Sequence, residues 1–289
     1  MAGVLAATVA GPAIAHPVLS GARAYQLLRD QVAMGPRVPG SAAHERAIAY
    51  YVAALRRLTP AVSLEPFEAD DGEHRLHLTN VVAVFGQGRG DPAMLAAHWD
   101  SRPRSERDPD RARRAMPTPG ADDGASGVAV CLEVARALAG QTLPREVRIA
   151  LWDGEDWGIS LDTMFYGSRY YVSRHAADLP RWGILLDMVG GRHLRVPREA
   201  FGDERARGLA DRVYRMADEL GLARQFPDRS GPAIYDDHLP FLDHRVPFID
   251  LIDFDSPHWH TTRDLPEDCA PESLERVARL AYEVLATPR

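Results

Sequence analysis

Four short, mostly apolar runs constrain this chain more than anything else in it: residues 93–97, 147–152, 183–188 and 247–252. Each is bounded by turn-forming residues. Runs of this kind read as strands buried on both faces, the condition of a parallel sheet covered by helices. An apolar helical stretch over 126–139 separates the first two runs. Further helices are predicted over 204–220 and 271–285, the last with a proline in its first turn. Strands alternating with helices predict a three-layer α/β/α architecture around a central, mostly parallel mixed sheet.

The N-terminal part adds helices over 22–34 and 42–58, the second with Ile48, Val52 and Leu55 on one face. Between them GPRVPGS is too rich in proline and glycine to be helical. Strands are predicted over 62–67 and 76–85 from their β-branched and aromatic content. With no internal repeat and no linker, residues 16–289 read as a single domain. A net charge of −7 argues against nucleic acid as a partner, and no apolar stretch is long enough to span a bilayer. Residues 1–15 are uncharged and end in Ala13-Ile14-Ala15, like a secretory signal without its basic start, so export to the periplasm or beyond is expected. The bland reading of the same segment is an alanine-rich disordered terminus. Cys131 falls in an apolar helix, which predicts a buried free thiol rather than a disulfide.

Residues able to bind metal stand at or just beyond the predicted strand ends: His98 in AAHWDS, Glu155 and Asp156 in LWDGEDWG, Asp187 in GILLDMVGG and His260 in PHWHTTRD. Asp123, in GADDGASG, lies in a glycine-rich turn that opens a helix. Open α/β sheets bind ligands at the carboxyl ends of their strands. Zn²⁺ favours imidazole nitrogen and carboxylate oxygen, and a neighbouring carboxylate is where a general base belongs. Each residue also has a plain structural reading: His98 as a hydrogen-bonded core histidine, Asp122 and Asp123 as helix-capping acids, Asp187 as a turn cap. Glu155 and Asp156 are harder to explain that way, since adjacent like charges disfavour each other without a cation. Residues 102–119 hold six arginines among acids and prolines with no apolar period. The expectation is a solvated, mobile surface loop, the alternative a basic flap over the site.

HWDS, GADDGASG, DGED, LLDMVG, YDDHLPF and WHT together resemble the zinc-exopeptidase superfamily, and within it the bacterial glutaminyl cyclases, over residues 22–288. The resemblance implies a zinc-dependent enzyme that converts N-terminal glutamine of peptides or proteins to pyroglutamate and releases ammonia. It implies one zinc on Asp123, Asp156 and His260, with Glu155 as acid–base. Asp236 and Asp187 would tune Glu155, and Trp259 would wall the substrate pocket. The superfamily also contains di-zinc aminopeptidases, and by that analogy His98 and Asp187 would join the ligands around a bridging Asp123, with Glu155 activating water. His98 is therefore a second-metal or supporting residue, and counting ligands does not decide. Asp156 departs from the glutamate many relatives carry, neither cysteine falls where animal cyclases have a disulfide, and a cis Asp123–Gly124 bond is implied.

Overall fold

The computed structural model describes residues 17–287, so the signal-like segment 1–15 lies outside the described residues. Two helices, α1 (Gly21–Ala33) and α2 (Ala42–Arg56), open the fold, each capped by a serine hydroxyl that accepts a backbone N–H: Ser20 from Arg23 and Ser41 from His44. Then follow β1 (Val62–Asp70), β2 (Arg75–Phe85), β3 (Ala93–His98), α3 (Ala125–Leu138), β4 (Val147–Trp152), α4 (Tyr166–Arg174) and β5 (Trp182–Asp187). The chain continues through α5 (Ala200–Arg205), α6 (Arg207–Glu219), α7 (Leu239–Asp243), β6 (Phe248–Ile252) and α8 (Pro271–Ala286). Among the described residues no helix is long and apolar enough to cross a membrane.

The six strands form one sheet in the order β1-β2-β4-β3-β5-β6. β1 and β2 are antiparallel to their neighbours, and β4, β3, β5 and β6 run parallel. The four apolar runs are the parallel strands, and every residue of β3, β4, β5 and β6 is buried. Helices cover both faces. Ala97 of β3 lies against the site of Gly127 in α3, where a methyl group would come within 2.9 Å of it. The next register pair, His98 and Trp152, points to the opposite face. There Trp152 meets Tyr171 of α4 and Phe241 of α7.

The helix expected over 204–220 is broken: Ala206 leaves helical geometry (φ −132°, ψ 34°), separating α5 from α6. Glu199 imposes an earlier start by accepting the N–H groups of Phe201 and Gly202. Helices α4 and α7 have no counterpart in the sequence reading. In α4, YGSRYYVSR lacks a clear apolar stripe, and α7 is a five-residue turn held by the fully buried Phe241. Cys131 is a buried free thiol, as is Cys269.

Candidate active site

Parallel register places the carboxyl ends of β3, β4 and β5 side by side, and the candidate residues gather there. His98 ends β3, Asp187 ends β5, and Glu155 and Asp156 lie in the turn just past β4. Asp123 precedes α3, and His260 arrives from the loop after β6. Two overlapping groups result, His98–Asp123–Asp187 and Asp123–Asp156–His260, each with its donor atoms within 4.8 Å of one another. Asp123 belongs to both. Its Oδ1 lies 3.1 Å from His98 Nε2 and its Oδ2 3.6 Å from His260 Nε2. His98 Nε2 is also 3.2 Å from Asp187 Oδ1, and His260 Nε2 is 3.5 Å from Asp156 Oδ1.

Two further carboxylates fix the backbone of these turns. Asp100 accepts the N–H groups of Glu155 and Asp156, both at 3.1 Å. Asp264 accepts those of Asp122 (2.8 Å) and Asp123 (3.1 Å). Asp122 itself turns away from the cluster: its Oδ1 accepts the Gly190 N–H at 2.7 Å, and burial pushes its carboxyl up to about 7. The expected cis Asp123–Gly124 bond is not found; all peptide bonds of the described residues are trans. The turn is made by Gly124 at φ 94°, where a methyl group would stand 2.9 Å from Asp100 O and 3.0 Å from His98 Cε1. Glycine enters that backbone region without the few-kcal/mol penalty of a non-proline cis bond, ~3 kcal/mol. Phe165, Met188 and His260 also have positive φ (58°, 49° and 56°), so three of the four described non-glycine residues in that region stand near the site; the fourth is Arg245 (60°), before β6.

Electrostatics favour a cation at this point. Burial, reinforced by Asp156, raises the Asp123 carboxyl. Burial likewise raises Glu155 well above the ordinary carboxylate range, with Asp156 and Asp236 adding to the effect and His98 opposing it. Burial would lower His260, but Asp156, Glu106 and Asp123 raise it to about 9. Asp156 Oδ2 is buried without a hydrogen-bond partner, although Asp156 belongs to a three-residue donor group. An orphan carboxylate oxygen among imidazole and carboxylate donors is what a bound divalent metal would satisfy. The residues fit such an ion.

Beside the donors lies a cavity of about 60 Å³, which Glu155, Asp187 and Asp236 also line. Its apolar walls are Met164, Ile234, Tyr235, Ile252, Phe254 and Trp259. Trp259 packs at a tilt against Phe254 (4.7 Å between ring centres, planes at 57°) and carries the Arg107 guanidinium 4.2 Å over its ring. Larger hollows exist, such as a groove of about 340 Å³ between α1, α2 and α3, but the small one is lined by members of both donor groups. Asp236 lines the same cavity as Glu155, and its Oδ1 accepts the Asp237 N–H at 2.6 Å. Behind it, Asp250 is buried in β6, and burial together with Asp236 and Asp187 holds its carboxyl well above the ordinary range.

The loop over 102–119 is not uniformly solvated. Residues 109–117 are exposed, but Arg102, Ser105, Asp108 and Thr118 are buried. Arg102 Nη1 donates to Asp156 Oδ1 at 2.5 Å, and Asp108 Oδ2 accepts from Thr262. The surplus of acids at the sheet end draws this arginine inward. Sequence reasoning missed Asp100, Asp264, Asp250, Arg102 and Glu106. Asp250 alone carried a local signal, an acid inside an otherwise apolar strand.

Fold and site together define a three-layer α/β protein in which two groups of residues able to hold a metal share one aspartate at the carboxyl edge of the sheet. Residues 80–285 match the model of peptidase family M28, and the chain belongs to that family. Among its relatives it is 29% identical to a mouse glutaminyl-peptide cyclotransferase-like protein, over 86% of this chain and 71% of that one. It is similar in structure to a glutaminyl cyclase of Porphyromonas gingivalis (33% identity, TM-score 0.87, 93% of this chain and 98% of the other). A leucine aminopeptidase precursor of Bacteroides thetaiotaomicron is also similar (29% identity, TM-score 0.92, 96% and 100%). The likeness thus reaches the glutaminyl cyclase branch of the zinc-exopeptidase superfamily.

Proposed function

We propose that this protein is a zinc-dependent glutaminyl-peptide cyclotransferase, acting on peptides or proteins that begin with glutamine. The observation that carries the reading is the 60 Å³ apolar cavity set directly against Glu155 and the Asp123–Asp156–His260 group. Its size suits one side chain, and its walls suit the methylenes of glutamine. Asp123, Asp156 and His260 would hold the zinc, which when bound would supply Lewis-acid chemistry toward the carboxamide. Trp259 and Phe254 orient the glutamine side chain and keep water away from the reacting carbon. Glu155 takes a proton from the α-amine as its nitrogen bonds to the carboxamide carbon (Cδ) of the glutamine side chain. The carbon–nitrogen bond of the amide then breaks, and Glu155 returns the proton so that ammonia leaves. Asp236 and Asp187 share the cavity with Glu155 and would position it, while burial, Asp156 and Asp236 favour its protonated form.

The second reading is a di-zinc aminopeptidase, favoured by the His98–Asp123–Asp187 group. The test is incubation of purified, zinc-loaded protein with a dipeptide beginning in glutamine, followed by ammonia assay and mass spectrometry. A product lighter by one ammonia, with one zinc per chain, supports the cyclase. Free glutamine with two zincs per chain replaces it by the aminopeptidase.

A further inference from the structure

The start of the loop after β3 touches two of the residues assigned to the metal. Glu106 Oε1 lies 3.0 Å from His260 Nδ1. A carboxylate accepts and does not donate here, so the ring carries a proton on Nδ1, which leaves Nε2, the nitrogen facing Asp123 and Asp156, as the one available to a metal. Glu106 is gripped in turn by Arg102, whose Nε reaches both carboxylate oxygens (2.8 and 2.9 Å) and whose Nη2 reaches Oε1 (2.7 Å). The same guanidinium occupies Asp156 Oδ1, which leaves Oδ2 as the oxygen of that carboxylate without a partner. The Arg107 N–H adds a bond to His260 O at 3.1 Å. One six-residue stretch of an arginine-rich loop, residues 102–107, thus reaches both side chains from outside the donor group.

We propose that Glu106 is a positioning residue of the metal centre: it fixes the ring orientation and tautomer of His260, and Arg102 holds Glu106 in place. The inference rests on the reading of Asp123, Asp156 and His260 as a zinc site. A ligating histidine whose second nitrogen is held by a carboxylate is oriented before the metal arrives, and loss of such a partner weakens metal binding. Glu106 is not among the donors, and its side chain is 37% exposed, so it can be replaced without opening the core.

The test measures zinc affinity by competition with a chromophoric chelator for the full chain, Glu106→Ala and Glu106→Gln, with thermal unfolding of each zinc-free protein alongside. Glu106→Ala is expected to weaken zinc by about 10–100-fold. Glu106→Gln keeps an oxygen that accepts the same Nδ1–H and should recover most of the loss, while the zinc-free melting points stay together. Equal affinity in the alanine variant and the parent overturns the proposal. So does a glutamine variant as weak as the alanine one, or a zinc-free melting point that falls in step with the affinity. A parent protein that binds no zinc removes the metal site and this inference together. Weakened zinc binding in Glu106→Ala, in a protein that does not cyclise glutamine, supports the positioning role and overturns only the reaction.

Discussion

Replacing Arg37 with methionine removes three hydrogen bonds from the interior while keeping most of the side-chain volume. Arg37 has no exposed surface. Its Nε donates to Trp99 O (3.0 Å), Nη1 to Pro119 O (3.1 Å) and Nη2 to Gly120 O (2.6 Å). These acceptors belong to the segments that carry His98 and Asp123, so the guanidinium ties both to the turn between α1 and α2. Each carbonyl left unsatisfied costs about 1–3 kcal/mol, which sets a ceiling of roughly 9 kcal/mol. Local relaxation, and release of the cost of burying the guanidinium, reduce the expected loss to about 3–5 kcal/mol. At about 2 °C per kcal/mol for a long chain, the melting midpoint should fall by roughly 6–10 °C. A shift of the ligand turns by 1 Å would also lower kcat/KM about 100-fold. Calorimetry of the zinc-loaded parent and variant, with ammonia release from a glutamine dipeptide, reads both quantities. A midpoint change below about 2 °C would mean that the carbonyls find other partners, and the argument from buried hydrogen bonds would be wrong.

Glu155→Gln should keep its zinc and lose about 10²–10⁴-fold in kcat; zinc lost together with turnover would make Glu155 a ligand instead. Chelation should lower the melting midpoint by about 5 °C relative to protein with zinc at 100 times its Kd, and Asp123→Asn should erase that difference. Glu133 is buried at the α1–α3 contact, where it accepts from Ser20 N, Arg23 and Arg136. Burial would raise its carboxyl, but the hydrogen bonds of Arg136, Arg23 and the Ser20 N–H outweigh it and hold the group below 4.5. A lowered carboxylate stabilises the fold above its ordinary pKa, and that stability disappears as pH falls through the lowered value. Glu133→Gln should therefore cost about 1–3 kcal/mol near neutrality, by urea unfolding, and less at pH 3. A gap of the same size at both pH values would contradict the sign.

The parallel strands were legible because burial on both faces writes them as near-continuous apolar runs, and their ends fell within a residue or two of the observed ones. That also made the strand-end positions of His98 and Asp187 legible, since the chemistry follows where the strand stops. Asp250 was equally visible inside FIDLI but was read only as part of a strand. Glu106 was not visible: its partner His260 is 154 positions away, and nothing in the arginine-rich loop distinguishes it from its acidic neighbours. Composition alone made that loop look solvated, whereas the acids it would meet belong to other strands. Asp100 and Asp264 were hidden for a related reason, since they bind backbone amides, which carry no residue identity.

Because Asp100 and Asp264 grip main-chain N–H groups, the turns bearing Asp123, Glu155 and Asp156 are anchored independently of which side chains stand on them. Substitutions at those positions change the donors while leaving the mount where it was. A scaffold of this kind lets the number of bound ions and the reaction be revised one residue at a time, without the chain having to find a new fold at each step.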